Sequence, residues 1–327
     1  VKVLVTGCAG FIGYHVAEAL LARGDSVVGL DCLNDYYDVR LKQARLERLR
    51  RQAGFAFHHL DIADKDAVRA VITGNDDIVG IVHLAAQAGV RYSLVDPYAY
   101  VHSNVMGHVV MLEAARRLGR LRHMVFASTS SVYGLNTEMP FRETDRVDTP
   151  VSLYAATKRA DELMGHAYAH LFGLKLTGLR FFTVYGPWGR PDMAYFSFAK
   201  AIMAGEPITL YEEGRLRRDF TYIDDIVAGV VGALDRPPED PCPPRLLNIG
   251  NHQVEEVREL VHLLEESLGR KAIIRSAPKP AVDVEATYAA IDAIHTLTGF
   301  TPSTPLSLGV PRFVAWFREW QAKISVG

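Results

Sequence analysis

Short apolar runs alternate with longer amphipathic segments through the first 180 residues. "KVLVT", "SVVGL", "FAFHH", "IVGIVH", "HMVFAS" and "LKLTGL" read as strands buried on both faces, because apolar residues dominate them without a clean in-and-out alternation. Between them, stretches such as "YHVAEALLARG" and "NVMGHVVMLEAARRLG" place apolar residues at helical spacing. Strand and helix in strict alternation predict an α/β fold, a Rossmann-type doubly wound parallel sheet.

After residue 180 the rhythm changes. A Gly/Pro-rich loop leads to a helix near 196–204, a short strand near 208–211 and a helix at "DDIVAGVVGAL". "RLLNIG" then reads as a further buried strand, so the chain returns to its first sheet before finishing in a smaller C-terminal α/β unit. "RPPEDPCPP" is a short surface connection, and no internal repeat is visible. In "DPYAYVHSNVMGHVVMLEAARRLG" the apolar residues cover more than one helix face, which sheet packing explains in part and a subunit interface in the rest.

Composition narrows the classes. Of 327 residues, 49% are hydrophobic and 23% charged, the profile of a soluble globular chain. With 36 basic against 38 acidic side chains, charge gives no reason to expect nucleic acid or an anionic membrane as partner. Cys8, Cys32 and Cys242 are odd in number and lack CxxC spacing, which suggests a reducing compartment rather than a disulfide framework or a thiolate zinc site. No stretch approaches the roughly 20 apolar residues that span a bilayer. "VKVLVTG" has no signal-peptide pattern, and a cytoplasmic setting is expected.

Candidate chemistry begins at "VLVTGCAGFIGYH", where Gly7, Gly10 and Gly13 lie between a strand and a helix, with Phe11 and Ile12 opening that helix. Phosphates can approach a backbone without Cβ atoms, and the helix N-terminus offers free N–H donors. The spacing is GxxGxxG, one residue longer at its first step than the GxGxxG fingerprint. Asp31 follows the second strand, 18 residues after Gly13, where a carboxylate accepts hydrogen bonds from a ribose diol and repels a 2′-phosphate. NAD is therefore the expected cofactor, with Asn34 just beyond Asp31. Asp61 and Ile62, and Leu84, Ala85 and Ala86, end the third and fourth strands on the same carboxyl edge.

"FASTSSVYG" ends the fifth strand, and 25 residues after Thr129 comes "LYAATK", with Tyr154 and Lys158 at YxxxK spacing. On a helix these share a face, so the ammonium favours the phenolate, which can take a proton from a sugar hydroxyl. "GPWGRPDM" holds a permanent cation, Arg190, on a loop that Gly186, Pro187, Gly189 and Pro191 keep irregular. Taken alone, such an arginine reads as solvated.

From "TGCAGFIG" through "STSSVYG", "YAATK" and "RFFTVYGP" to "RRDFTYIDDI", the whole chain resembles extended short-chain dehydrogenases/reductases of the nucleotide-sugar epimerase/dehydratase group. Within it, "LDCLNDYYDVRLKQARL", "AAQAGVRYSLVDP" and "GPWGRPDM" closely resemble UDP-glucuronate 4-epimerases. The resemblance implies an NAD-dependent isomerase converting UDP-glucuronate to UDP-galacturonate through a transient 4-keto sugar, and a homodimer joined near residues 100–118 and 154–172. Tyr154 would remove the C4 hydroxyl proton, Lys158 would favour its phenolate and hold the nicotinamide ribose, and Thr129 would hydrogen-bond the reacting oxygen. Phe181 would lie beside the nicotinamide and Asn104 near the active site, among the cofactor contacts. Thr183 and Arg218 would face the diphosphate side, Tyr211 the uracil and Asp283 the uridine. Ser130, Ser131, Thr183 and Arg190 would fix the C6 carboxylate. On this reading residues 1–180 with about 221–252 form the NAD-binding Rossmann domain, and about 181–220 with 253–327 the nucleotide-sugar-binding domain. The chain departs from the group at "KPAVD", where Ala281 and Val282 replace a usual Pro-Gly pair, and at Cys8, where alanine is common and any small residue suffices.

Four other readings compete. A dehydratase needs an acidic pair where this chain has Ser130 and Ser131. Epimerases of the UDP-glucose/galactose type need no cation at the C6 end of the sugar. A UDP-glucuronate decarboxylase would let the β-keto acid formed by C4 oxidation lose CO2, whereas an epimerase must hold the carboxylate out of line. A dinucleotide-sensing binding protein would have no use for Thr129, Tyr154 and Lys158 together. His166 and His170 stand at HxxxH spacing without an evident third ligand, so no metal is expected; His58 and His59 pack or face solvent. Arg91 is a weaker candidate than Arg190 for the acidic sugar.

Overall fold

The structure, a computed structural model, describes residues 1–281 and 283–326. Its strands are β1 (Lys2–Thr6), β2 (Ser26–Asp31), β3 (Phe55–His59), β4 (Gly80–His83), β5 (His123–Thr129), β6 (Leu176–Phe181), β7 (Thr183–Tyr185), β8 (Pro207–Tyr211), β9 (Arg217–Arg218), β10 (Phe220–Tyr222), β11 (Arg245–Ile249), β12 (Glu255–Glu256) and β13 (Ile273–Ala277). The helices are α1 (Phe11–Ala22), α2 (Val39–Arg50), α3 (Lys65–Thr73), α4 (Pro97–Tyr100), α5 (Gly107–Arg117), α6 (Leu153–Phe172), α7 (Ala194–Ala204), α8 (Ile223–Leu234), α9 (Val257–Leu268), α10 (Asp292–Thr298) and α11 (Leu306–Val326).

A seven-stranded parallel sheet has the order β11-β6-β5-β4-β1-β2-β3, so "RLLNIG" does return to it, at the edge beside β6. Strand order reverses between β1 and β4, which opens a crevice at the carboxyl ends of the strands. Burial on both faces holds for β1, β4 and β6 but not for "FAFHH". Here β3 is the opposite edge, with a neighbour on one side only, and Ala56 and His59 are exposed. The "NVMGHVVM" helix also differs: residues 101–106 form a π-helical turn and α5 starts only at Gly107. Such turns re-aim side chains, and this one points Asn104 inward.

Three two-stranded pairings, β7 with β10, β8 with β13 and β9 with β12, build the smaller layer over the carboxyl edge. The aromatic face of α11 fastens it: Phe313 meets Tyr195 edge-on at 4.9 Å, Phe317 meets Phe196 at 5.1 Å, and Trp316 lies 5.3 Å from Trp188. Those contacts seat the residue 186–193 loop beside the sheet.

Candidate active site

Three glycines make the cradle, for two steric reasons. Gly7 has φ +71°, and a Cβ there would stand 2.9 Å from the Ala85 nitrogen at the end of β4. A Cβ on Gly10 would lie 3.0 Å, and one on Gly13 only 2.0 Å, from the Gly7 carbonyl oxygen. The loop is thus folded onto the first turn of α1; its own N–H groups at Gly7, Cys8, Ala9 and Gly10 are paired, and the donors left at the cavity are those of Phe11 and Ile12 in that turn, which fits a dinucleotide pyrophosphate. Cys8 is fully buried, with its sulfur in the space left by Gly29.

Asp31 ties the cradle to β2. Its Oδ2 accepts from the Ala9 N–H at 3.0 Å and its Oδ1 from the Leu33 N–H at 2.8 Å, which leaves carboxylate lone pairs for a ribose diol. Behind it, Lys42 donates to the Asn34 carbonyl at 2.7 Å and to the Asn34 side chain. Sequence reading missed Lys42 and Arg45, although both fall among the buried positions of α2, where cations on an otherwise apolar face are a warning sign. Arg45 is 0% exposed and donates to the carbonyls of Ala9, Trp188 and Gly189 and to the Tyr37 hydroxyl. One guanidinium therefore joins the cofactor cradle to the loop carrying Arg190.

On the reactive side, register pairs Thr129 at the end of β5 with Phe181 at the end of β6. The Thr129 hydroxyl oxygen accepts from the Ser131 N–H at 3.1 Å, so its own hydrogen remains available to donate. Ser152 caps α6 by accepting from the Ala155 N–H, and Gly173 ends that helix at φ +66°. That long helix presents half-buried Tyr154, whose ring meets Tyr100 edge-on at 6.1 Å, and buried Lys158. Lys158 Nζ donates to Asp161 Oδ2 at 2.5 Å, a partner that sequence reading did not consider.

Arg190 is not a stranded charge. Its fork grips Asp192, Nε to Oδ1 at 3.0 Å and Nη2 to Oδ2 at 2.6 Å, while the Tyr36 hydroxyl donates to the same carboxylate at 3.1 Å. Burial pulls the guanidinium pKa down, but the Asp192 carboxylate outweighs it and the net shift is upward. Among the described residues Nη1 has no hydrogen-bond partner, so one edge of the fork still faces the cavity. Arg91 instead donates to Asp283 at 2.7 Å and lies over the Tyr211 ring at 4.8 Å, which places it at the far end of the site and not with Arg190. Arg218 is held by the backbone carbonyls of Arg217, Val284 and Glu285, and burial lowers its pKa despite Asp283. The turn before Asp283 includes Ala281, while Val282 lies outside the described residues.

One cavity of about 950 Å³ connects these groups, and every residue the sequence assigned to cofactor, catalysis or substrate lines it except Asn104. Asn104 is outside that lining: its amide accepts from the Gln87 N–H at 2.8 Å and donates to the Gln87 carbonyl and the Thr157 hydroxyl, 1% exposed. It braces the loop after β4 against α6, with both amide hydrogens spent and only one lone pair of its buried oxygen unused. Among the described residues no three His, Cys, Asp or Glu side chains are grouped to hold a metal ion.

A model of the NAD dependent epimerase/dehydratase family matches residues 3–250. The chain is 46% identical to a probable UDP-glucuronate 4-epimerase of Rhizobium meliloti (strain 1021), covering 97% of each. It is 47% identical to UDP-glucuronate 4-epimerase 4 of Arabidopsis thaliana, over 98% of this chain and 76% of that protein. Its structure matches that of UDP-glucuronic acid 4-epimerase from Bacillus cereus in complex with UDP-glucuronic acid and NAD, with TM-score 0.90, 33% identity, and coverage of 98% of this chain and 100% of that one.

Proposed function

Since the chain belongs to the NAD dependent epimerase/dehydratase family, we propose that it is an isomerase that interconverts UDP-glucuronate and UDP-galacturonate by NAD-dependent epimerisation at C4. The observation that carries this reading is the single cavity joining the glycine cradle, the Thr129, Tyr154 and Lys158 group and the free edge of Arg190.

NAD, when bound, supplies the hydride acceptor and then the hydride donor for C4. Gly7, Gly10 and Gly13 would admit its pyrophosphate, Asp31 its adenosine ribose and Phe181 its nicotinamide face. Tyr154 takes the C4 hydroxyl proton and later returns it, Lys158 favours the phenolate, and the Thr129 hydroxyl donates to the sugar oxygen as charge develops there. While C4 is a ketone the sugar is a β-keto acid, and CO2 leaves readily if the breaking bond aligns with the carbonyl π-system. Arg190, with Thr183, Ser130 and Ser131, holds the carboxylate out of that alignment. Asp192 and Tyr36 keep the guanidinium plane fixed so that its free edge meets the acid. Arg218, Tyr211 and Asp283 receive the uridine diphosphate. Residues 1–180 with about 221–252 act as the cofactor-binding unit and about 181–220 with 253–327 as the nucleotide-sugar unit, the sheet and the smaller layer supporting that division.

Incubation of the purified protein with UDP-glucuronate, and separately with UDP-galacturonate, is expected to give the same mixture of the two without UDP-pentose or CO2. Failure of both to interconvert while NAD still binds would exclude the reading.

A homodimer joined near residues 100–118 and 154–172 accounts for the apolar side chains left exposed there, among them Val101 at 50%, Met106 at 53%, Leu163 at 56% and Leu171 at 65%. Sedimentation is expected to report twice the chain mass; a monomer at micromolar concentration would remove that explanation. The three free cysteines fit a cytoplasmic setting. No helix among the described residues is long and apolar enough to cross a membrane.

A further inference from the structure

Tyr154, Lys158 and Asp161 repeat at i, i+4 and i+7 on α6, which puts all three on one face. The Lys158 and Asp161 side chains are 4% and 0% exposed and share one hydrogen bond, Nζ to Oδ2 at 2.5 Å. Asp161 Oδ1 is equally buried and has no hydrogen-bond partner. Burial therefore pushes the Asp161 carboxyl pKa up, and Lys158 pulls it back only in part.

The elements packed around this pair bring no other charge to it, and on α6 itself Glu162 adds to the rise of the Asp161 carboxyl. From α5 comes His108, whose ring nitrogens are both unpartnered and whose protonation burial, His83 and Lys158 all oppose. At the end of β4, His83 bonds the Thr6 hydroxyl at 2.7 Å, and burial and Lys158 likewise keep it neutral. Glu162, the next residue on α6, turns to Arg180 of β6, Ser128 of β5 and Arg159. The π-helical turn offers His102 to Asp61 and neutral Asn104 to Thr157, and α4 offers the Tyr100 ring to Tyr154. The short turns at 91–94 and 130–133 direct Arg91 to Asp283 and the Tyr133 hydroxyl to Asn248. Arg190, the next cation in the cavity, is paired with Asp192, and Tyr154 is also among the groups it interacts with. Among the described residues, the counter-charge that Lys158 meets is Asp161.

We propose that Asp161 is a positioning residue that sets how much of the Lys158 charge reaches the reacting phenol. Ionised, it draws the ammonium towards the helix interior and cancels part of its field at Tyr154. Without that negative charge, Lys158 stabilises the phenolate more strongly, and loses a proton more easily itself. The proposal rests on Tyr154 being the base of the epimerisation.

The test is the pH profile of kcat/KM for UDP-glucuronate, which reports groups on the enzyme before substrate binds. Asp161→Asn is expected to move both limbs to lower pH, the acid limb by about one unit, and Asp161→Glu to restore them. A structural role alone would lower the height of the profile and leave both limbs in place, and that result overturns the proposal. If the Asn variant does not fold, Asp161→Ser is read in the same way. Tyr154→Phe separates the two failures: if it retains turnover the epimerase assignment of Tyr154 fails, whereas if it is inactive and the Asp161 variants leave the limbs unmoved, only the role of Asp161 fails.

Discussion

Tyr154→Phe is expected to lower turnover of UDP-glucuronate by about 10³-fold, within the range for loss of a positioned acid or base, while NAD stays bound. Phenylalanine keeps the ring and with it the edge contact to Tyr100 at 6.1 Å, so packing on α6 is conserved. What disappears is the one atom that can carry the C4 proton away and bring it back. Lys158 cannot substitute, because its ammonium is already engaged by Asp161 and is a donor only. Initial rates by chromatography of the two UDP-sugars, together with thermal unfolding in NAD, would decide it. A variant within ten-fold of the parent rate would exclude Tyr154 as the base.

Arg190→Met should alter the product as well as the rate. In the parent protein Asp192 fixes the guanidinium through two hydrogen bonds of 3.0 and 2.6 Å and leaves Nη1 for the substrate acid. Methionine retains much of the volume but cannot hold a carboxylate, so the C6 acid is free to turn while C4 is a ketone. Turnover to UDP-galacturonate is expected to fall by about 10²-fold, the scale on which misplacement of reacting groups acts, and whatever passes should release CO2 and UDP-pentose. Trapped CO2 and nucleotide-sugar chromatography read both outcomes. An unchanged rate without CO2 would remove Arg190 from the site.

Local spacing made the glycine loop and the helix carrying Tyr154 and Lys158 legible. A glycine that must take φ +71°, another whose Cβ would meet a carbonyl at 2.0 Å, and a tyrosine and lysine four residues apart are constraints carried by short segments. The bracing by Asn104 was not legible, because its partners are distant in sequence: Gln87, 17 residues away, and Thr157, 53 away, take both amide hydrogens. Arg45 went unseen for the same reason, since its carbonyl partners lie 36, 143 and 144 residues off. Asp192, two residues from Arg190, was near enough to find, but a nearby carboxylate shows its orientation only once the loop is folded.

By itself, then, the sequence determined the strand and helix alternation, the glycine cradle with Asp31, and the Tyr154 and Lys158 pair, because each depends on backbone geometry or side-chain period within one or two adjacent elements. Tertiary structure alone decided that β3 is an exposed edge, that Asn104 is a brace, and that Arg45 couples the cradle to the Arg190 loop. It also decided that Lys158 and Arg190 each face a carboxylate, Asp161 and Asp192. The physical reason is that a buried polar group must find its partners wherever the fold brings them. Spacing along the chain brings a charge to the site, and its neighbours in space set how much of that charge the substrate feels.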